Sequence, residues 1–80
     1  MMEKETLVNN LYLLYTTELG KDRIRKNLQL EVDAVTYCKD VILDSICEVI
    51  RKGKNYYCRR NDVVVTVNAY SYTIITAHKK

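Results

Sequence analysis

Apolar residues recur every three or four positions in the first half of this chain, and from Ile46 onward they alternate. The first spacing predicts helices and the second predicts strands. Leu7, Leu11, Leu14 and Tyr15 fall at i, i+4, i+7 and i+8, one apolar stripe of a helix over residues 4–15. Thr16-Thr17 then offers a break or an N-cap. A second helix over about 17–28 places Ile24 and Leu28 on one side, with Gly20 a weak point in its first turn. Val32-Asp33 opens a third helix, with Asp33 as N-cap and Val32 as staple residue. Val35, Cys38 and Ile42 are its inward positions, and it ends near Leu43.

The strand half divides at turn signals. Residues 46–52 form a first strand, with Cys47, Val49 and Arg51 on one face and Ile46, Glu48 and Ile50 on the other. Gly53-Lys54-Asn55 turns the chain into a second strand over 56–60, and Asn61-Asp62 turns it into a third over 63–69. In that third strand Val63, Val65 and Val67 share a face opposite Val64, Thr66 and Asn68. A turn near Tyr70-Ser71 leads to a fourth strand over 72–78. Such short connections favour an antiparallel meander, which must bury one face against the helices. The expected fold is therefore α+β: two or three N-terminal helices packed on a four-stranded antiparallel β-meander, as one domain over residues 1–80. A chain this short buries only about 60–65% of its unfolded surface, so a dimer that hides more apolar surface would help it.

Charge refines the picture. Residues 1–40 hold six Lys/Arg against seven Asp/Glu, whereas residues 41–80 hold seven against three. The basic excess belongs to the sheet half, where it either attracts polyanions such as RNA or keeps a sheet edge soluble. The start of the chain lacks the apolar core of a secretory signal, and no run is long enough to span a membrane. A cytoplasmic location is expected, with Cys38, Cys47 and Cys58 as reduced thiols packed as small hydrophobes. With no CxxC pair and a single histidine, neither a metal site nor a cofactor is expected.

Candidate chemistry centres on His78, the one side chain with an ordinary pKa near neutrality, at the end of the last strand. It can serve as general acid or base, or it can be an exposed terminal histidine of no consequence. Glu48 is the best carboxylate partner, because the other acids of the strand half lie in turns. If the face it shares with Ile46 and Ile50 is buried, Glu48 needs a partner; if that face is solvent, Glu48 is ordinary. Arg23, Arg25, Lys26, Arg51, Lys54, Arg59 and Arg60 form an anion-binding set, to which Lys52 adds a cation. Tyr56, Tyr57, Tyr70 and Tyr72 are interleaved with the cations of the strand half and can stack nucleobases or simply pack across strands. P-loop, GxGxxG, HExxH and GxSxG motifs are all absent from the sequence.

The segments Leu19 to Leu28, Gly53-Lys54-Asn55-Tyr56-Tyr57 and Asn68 to Lys79 resemble a small bacterial family catalogued only as a domain of unknown function. More distantly, helices followed by a four-stranded sheet ending in Thr73-Ile74-Ile75-Thr76-Ala77-His78 resemble the barnase/EndoU/colicin/RelE group of ribonucleases, many of them toxins. That resemblance implies metal-independent RNA cleavage, with His78 as acid or base, Arg23 or Arg25 and Lys54 at the phosphate, and Thr76 nearby; Glu48 remains the carboxylate candidate. Arg51, Lys52, Tyr56, Arg59, Arg60, Tyr70 and Tyr72 would then hold the RNA. No clear His–Glu or His–His pair of the better-known members is legible, and analogy of layout is a weak warrant for function. The leading expectation is a small RNA-binding protein or toxin-like ribonuclease. The alternative is a non-catalytic module that binds a protein partner or itself, including one encoded by a phage or mobile element.

Overall fold

The computed structural model describes residues 2–80. Its elements run α1 (Met2–Asn9), a 3-10 turn (Leu11–Leu13), α2 (Glu18–Leu28), α3 (Ala34–Leu43), β1 (Glu48–Lys52), β2 (Asn55–Arg60), β3 (Val63–Asn68) and β4 (Ile74–Lys79). The four strands form one antiparallel sheet in the order β1-β2-β3-β4. Three helices followed by a four-stranded meander is the α+β architecture that the periodicity predicts.

The first helix is shorter than the predicted 4–15, and Asn10 explains why. Its side-chain amide donates to the Thr6 carbonyl at 2.9 Å and its backbone N–H reaches only back to Leu7, at 3.1 Å. Such local bonds compete with the helical ladder and tighten the chain into a 3-10 turn. Leu7, Leu11 and Leu14 stay buried, but Tyr15 leaves the predicted stripe and lies half exposed. It bridges Thr73 instead, donating its N–H to the Tyr72 carbonyl at 3.2 Å.

Thr17 caps α2 by accepting the Gly20 N–H at 3.0 Å, and Gln29 ends the helix in the left-handed region. Gly20 is required by a close approach: a Cβ there would overlap the Thr16 hydroxyl, which donates to the Ile74 carbonyl at 3.1 Å. Asp33 caps α3 as predicted, accepting the Thr36 N–H at 2.9 Å. The inward face of α3 is Ala34, Cys38, Val41 and Ile42; Val35, expected there, is only partly buried.

Within the sheet, Val49, Tyr56, Cys58, Val63, Val65, Val67, Ile74 and Ala77 point toward the helices and are buried. α1 packs on β1, α3 on β2 and β3, and α2 on β4. β1 begins at Glu48 rather than Ile46, because Asp44 holds the preceding corner. Its carboxylate accepts the Ile46 N–H at 3.1 Å and its carbonyl accepts the Cys47 N–H at 3.0 Å. β4 begins at Ile74, two residues later than expected, because Tyr72 has φ 59, outside the extended region. A register shift between Thr66 and Val67 sets Val67 opposite Ile74 and Thr66 opposite Thr76. The extra residue lets Ile74 and Ala77 both point inward, while Ile75 and His78 are exposed.

Candidate functional site: the uncovered face of the sheet

Among the described residues every helix packs on one side of the meander, and no element covers the opposite face. Register fixes what lies there. One cross-strand row runs Glu48, Arg59, Val64, His78, and the next runs Ile50, Tyr57, Thr66, Thr76. Ile50 is 62% exposed, Ile75 49%, and Ile46, just before β1, 58%. With Tyr57 and the partly buried Val64 on the inner strands, Ile50 and Ile75 give this face several large apolar side chains, interrupted by Arg59 and Thr66. Arg59, Glu48, Lys52 and His78 stand among and around them. The other exposed aliphatic residues are spread over separate places: Leu13 in the 3-10 turn, Leu19 on α2, Val32 before α3 and Leu43 at its end.

The face that Glu48 shares with Ile46 and Ile50 is thus the solvent face, which settles the alternative left open by the alternation. Glu48 and His78 share a row but stand on the two outer strands. Three inter-strand spacings separate their backbones by about 14 Å. Thr76 lies on the same face as His78, two residues away on β4, and is partly buried. Arg23 and Arg25 are exposed on α2, across the β4 edge from this face, and Lys54 sits in the β1–β2 turn at the far end of the strands from His78.

The proposed RNA-holding residues fall in three places. Lys52 and Arg59 are on the uncovered face. Arg51, Tyr56, Tyr70 and Tyr72 meet on the helix side, at the turn end of the strands. There the Arg51 guanidinium lies 5.5 Å from the Tyr56 ring centre and 5.3 Å from that of Tyr70, and donates to the Gly53 carbonyl at 2.9 Å. Tyr56 is buried, and burial and the neighbouring Tyr56 raise the pKa of Tyr72. This end joins two segments singled out in the sequence, because Ala69 donates its N–H to the Lys54 carbonyl at 2.7 Å. Arg60 is committed elsewhere, to the Asp44 carboxylate at 3.3 Å and over the Tyr37 ring.

The thiols are not positioned for chemistry. Cys38, Cys47 and Cys58 are buried and free, and burial pushes Cys38 and Cys58 up to about 12. A thiol held protonated is neither nucleophile nor ready metal ligand. Among the described residues no cluster of His, Cys, Asp and Glu is arranged to hold a metal ion, and no helix is long and apolar enough to cross a membrane.

Sequence reasoning passed over Ile46, Ile50 and Ile75. The signal was present: the segment 46–50 is apolar on both alternating faces, Cys47 and Val49 on one and Ile46 and Ile50 on the other. A strand with only one buried face does not need the second set. Comparison with known proteins adds one finding. A family profile described as "Protein of unknown function (DUF3781)" matches residues 8–78. No curated protein and no solved structure matches the chain.

Proposed function

The chain belongs to the DUF3781 family, which carries no assigned activity, and we propose from its own surface that it is a non-catalytic module that binds a protein through the uncovered face of the sheet. The observation that carries this reading is the exposure of Ile50 and Ile75 on the outer strands of a face whose inner strands add Tyr57 and Val64, with Glu48, Lys52, Arg59 and His78 among them. Large exposed apolar side chains gathered on one face mark a protein-interaction surface. A ribonuclease centre would need proton-transfer and phosphate-binding groups within reach of one scissile bond. Here Glu48 and His78 stand about 14 Å apart, and Arg23, Arg25 and Lys54 lie elsewhere.

The test is affinity capture from the host's own lysate with wild type beside Ile75→Glu, whose exposed position spares the fold. A stoichiometric protein recovered with wild type and lost with the variant supports the reading; equal recovery, or none, counts against it. A second reading, RNA binding, is favoured by Lys52, Arg59 and His78 sharing the face with Tyr57. It predicts binding to labelled single-stranded RNA that weakens steeply with salt. Cleavage of RNA in excess chelator that disappears in His78→Ala would restore the enzyme reading and overturn the non-catalytic one.

A further inference from the structure

The two edges of the sheet are finished differently. At β4 the edge is occupied: the Ile74 N–H donates to the Tyr15 carbonyl at 2.8 Å, and the Thr16 hydroxyl donates to the Ile74 carbonyl at 3.1 Å. Asn27 reaches the Ala77 carbonyl at 3.3 Å, and α2 packs alongside. At β1, among the described residues, no backbone–backbone hydrogen bond reaches Glu48–Lys52 from any element but β2. Lys4 covers only the approach, donating to the carbonyls of Asp44 and Cys47. An open strand edge is a template for another strand, and proteins that remain monomeric usually blunt it.

What pairs there is indicated by the strand itself. The β1–β2 hairpin closes on Lys52 and Asn55 across Gly53-Lys54, with Gly53 at φ 60. In a two-residue hairpin the closing pair is hydrogen-bonded, so Lys52, Ile50 and Glu48 turn their backbone groups toward β2. Val49 and Arg51 turn theirs outward. We propose that β1 pairs antiparallel with β1 of a second copy about a two-fold axis at Ile50, joining the two sheets into one; this rests on the reading of the chain as an interaction module. In that register Ile50 meets its own counterpart in a non-hydrogen-bonded pair, where side chains approach most closely. Glu48 stands opposite the partner's Lys52, and Lys52 opposite the partner's Glu48. Val49 and Arg51 exchange the ladder bonds. The edge is self-complementary in charge, as a two-fold interface must be. Two shallow grooves of about 500 Å3 flank Ile50, one lined by Lys4, Cys47, Glu48 and Val49 and the other by Lys52, Gly53 and Tyr57. They leave room for the partner strand and its isoleucine.

Charge reversal tests the register. Glu48→Lys alone sets lysine against lysine at both symmetric positions, and Lys52→Glu alone sets glutamate against glutamate. Each single change should weaken self-association, read by sedimentation from micromolar to millimolar protein, by about tenfold. The double variant E48K/K52E restores opposite charges and should recover wild-type association, which a general loss of stability would not do. Mild oxidation of I50C should give a covalent dimer, because the axis brings the two positions within disulfide reach. K52C should not cross-link, because its two copies lie about 13 Å apart in this register. The proposal is overturned by a wild type that stays monomeric throughout, by association indifferent to both single reversals, or by I50C that fails to cross-link. The Ile75→Glu test reads the face at β4 and the reversals read the edge at β1, so either reading can fail alone.

Discussion

Replacing Gly20 with alanine should destabilise this protein, although in an ordinary helix interior the same change stabilises. Alanine is worth about 0.5–1 kcal/mol over glycine within a helix. Here the added Cβ falls on the Thr16 hydroxyl, with Thr17 Oγ1 also close at 3.2 Å. Thr16 can escape only by rotating its side chain, which breaks its 3.1 Å bond to the Ile74 carbonyl on the β4 edge. Leaving that acceptor without its partner costs about 1–3 kcal/mol. Taking about 2 kcal/mol for the loss and about 0.8 kcal/mol for the helix gain, G20A is less stable by about 1 kcal/mol, a fall in Tm of about 4–8 °C for a domain of this size. In a Thr16→Ala background the bond is already gone, so the same change should stabilise by about 0.8 kcal/mol. Urea and thermal unfolding of the four proteins, followed by circular dichroism, give a coupling of about 2 kcal/mol between the two sites. An additive cycle, or a G20A single variant more stable than wild type, would refute the reasoning.

Two further outcomes follow from the core. Ile42→Ala, at a fully buried site on α3, should cost about 3 kcal/mol in urea denaturation, a large share of the roughly 4–12 kcal/mol available to a domain of this length. The native thiols should resist a thiol reagent at pH 8 and all react once the protein is unfolded. Because burial raises Cys38 and Cys58 from 9.0 to about 12, the stability they support is complete below pH 9 and lost as pH rises toward 12; a flat stability profile across that window would contradict their burial.

The order of elements was legible because periodicity changes at Ile46, and β3 is a β-branched run with Val63, Val65 and Val67 on one buried face. The boundaries were less so, since they rest on single residues with tertiary partners. Asn10 ends α1 through a local bond, and Tyr15 is drawn to Thr73, far along the chain. Tyr72 in a left-handed conformation delays β4, and the shift at Thr66/Val67 breaks an alternation that would otherwise run to the end. The site was the hardest to read. Which face of β1 meets the helices decides whether Glu48 is buried, and periodicity two gives both faces equal standing. Placing His78 beside or away from Glu48 needs the strand order and not merely the strands.

The bridge between Tyr15 and Thr73 bears on how the chain reaches this fold. Each strand pairs with its neighbour in sequence, so the meander can zip from one hairpin to the next with little loop closure. The segment after α1 is different, because its partners lie far along the chain, Ile74 being 58 positions beyond Thr16. While the ribosome is still adding β4, the leucines of that segment have no sheet edge to dock against. That segment and α2, which packs on β4, must therefore wait until β4 has emerged, and that interval is when their apolar side chains are most exposed to aggregation and to chaperones.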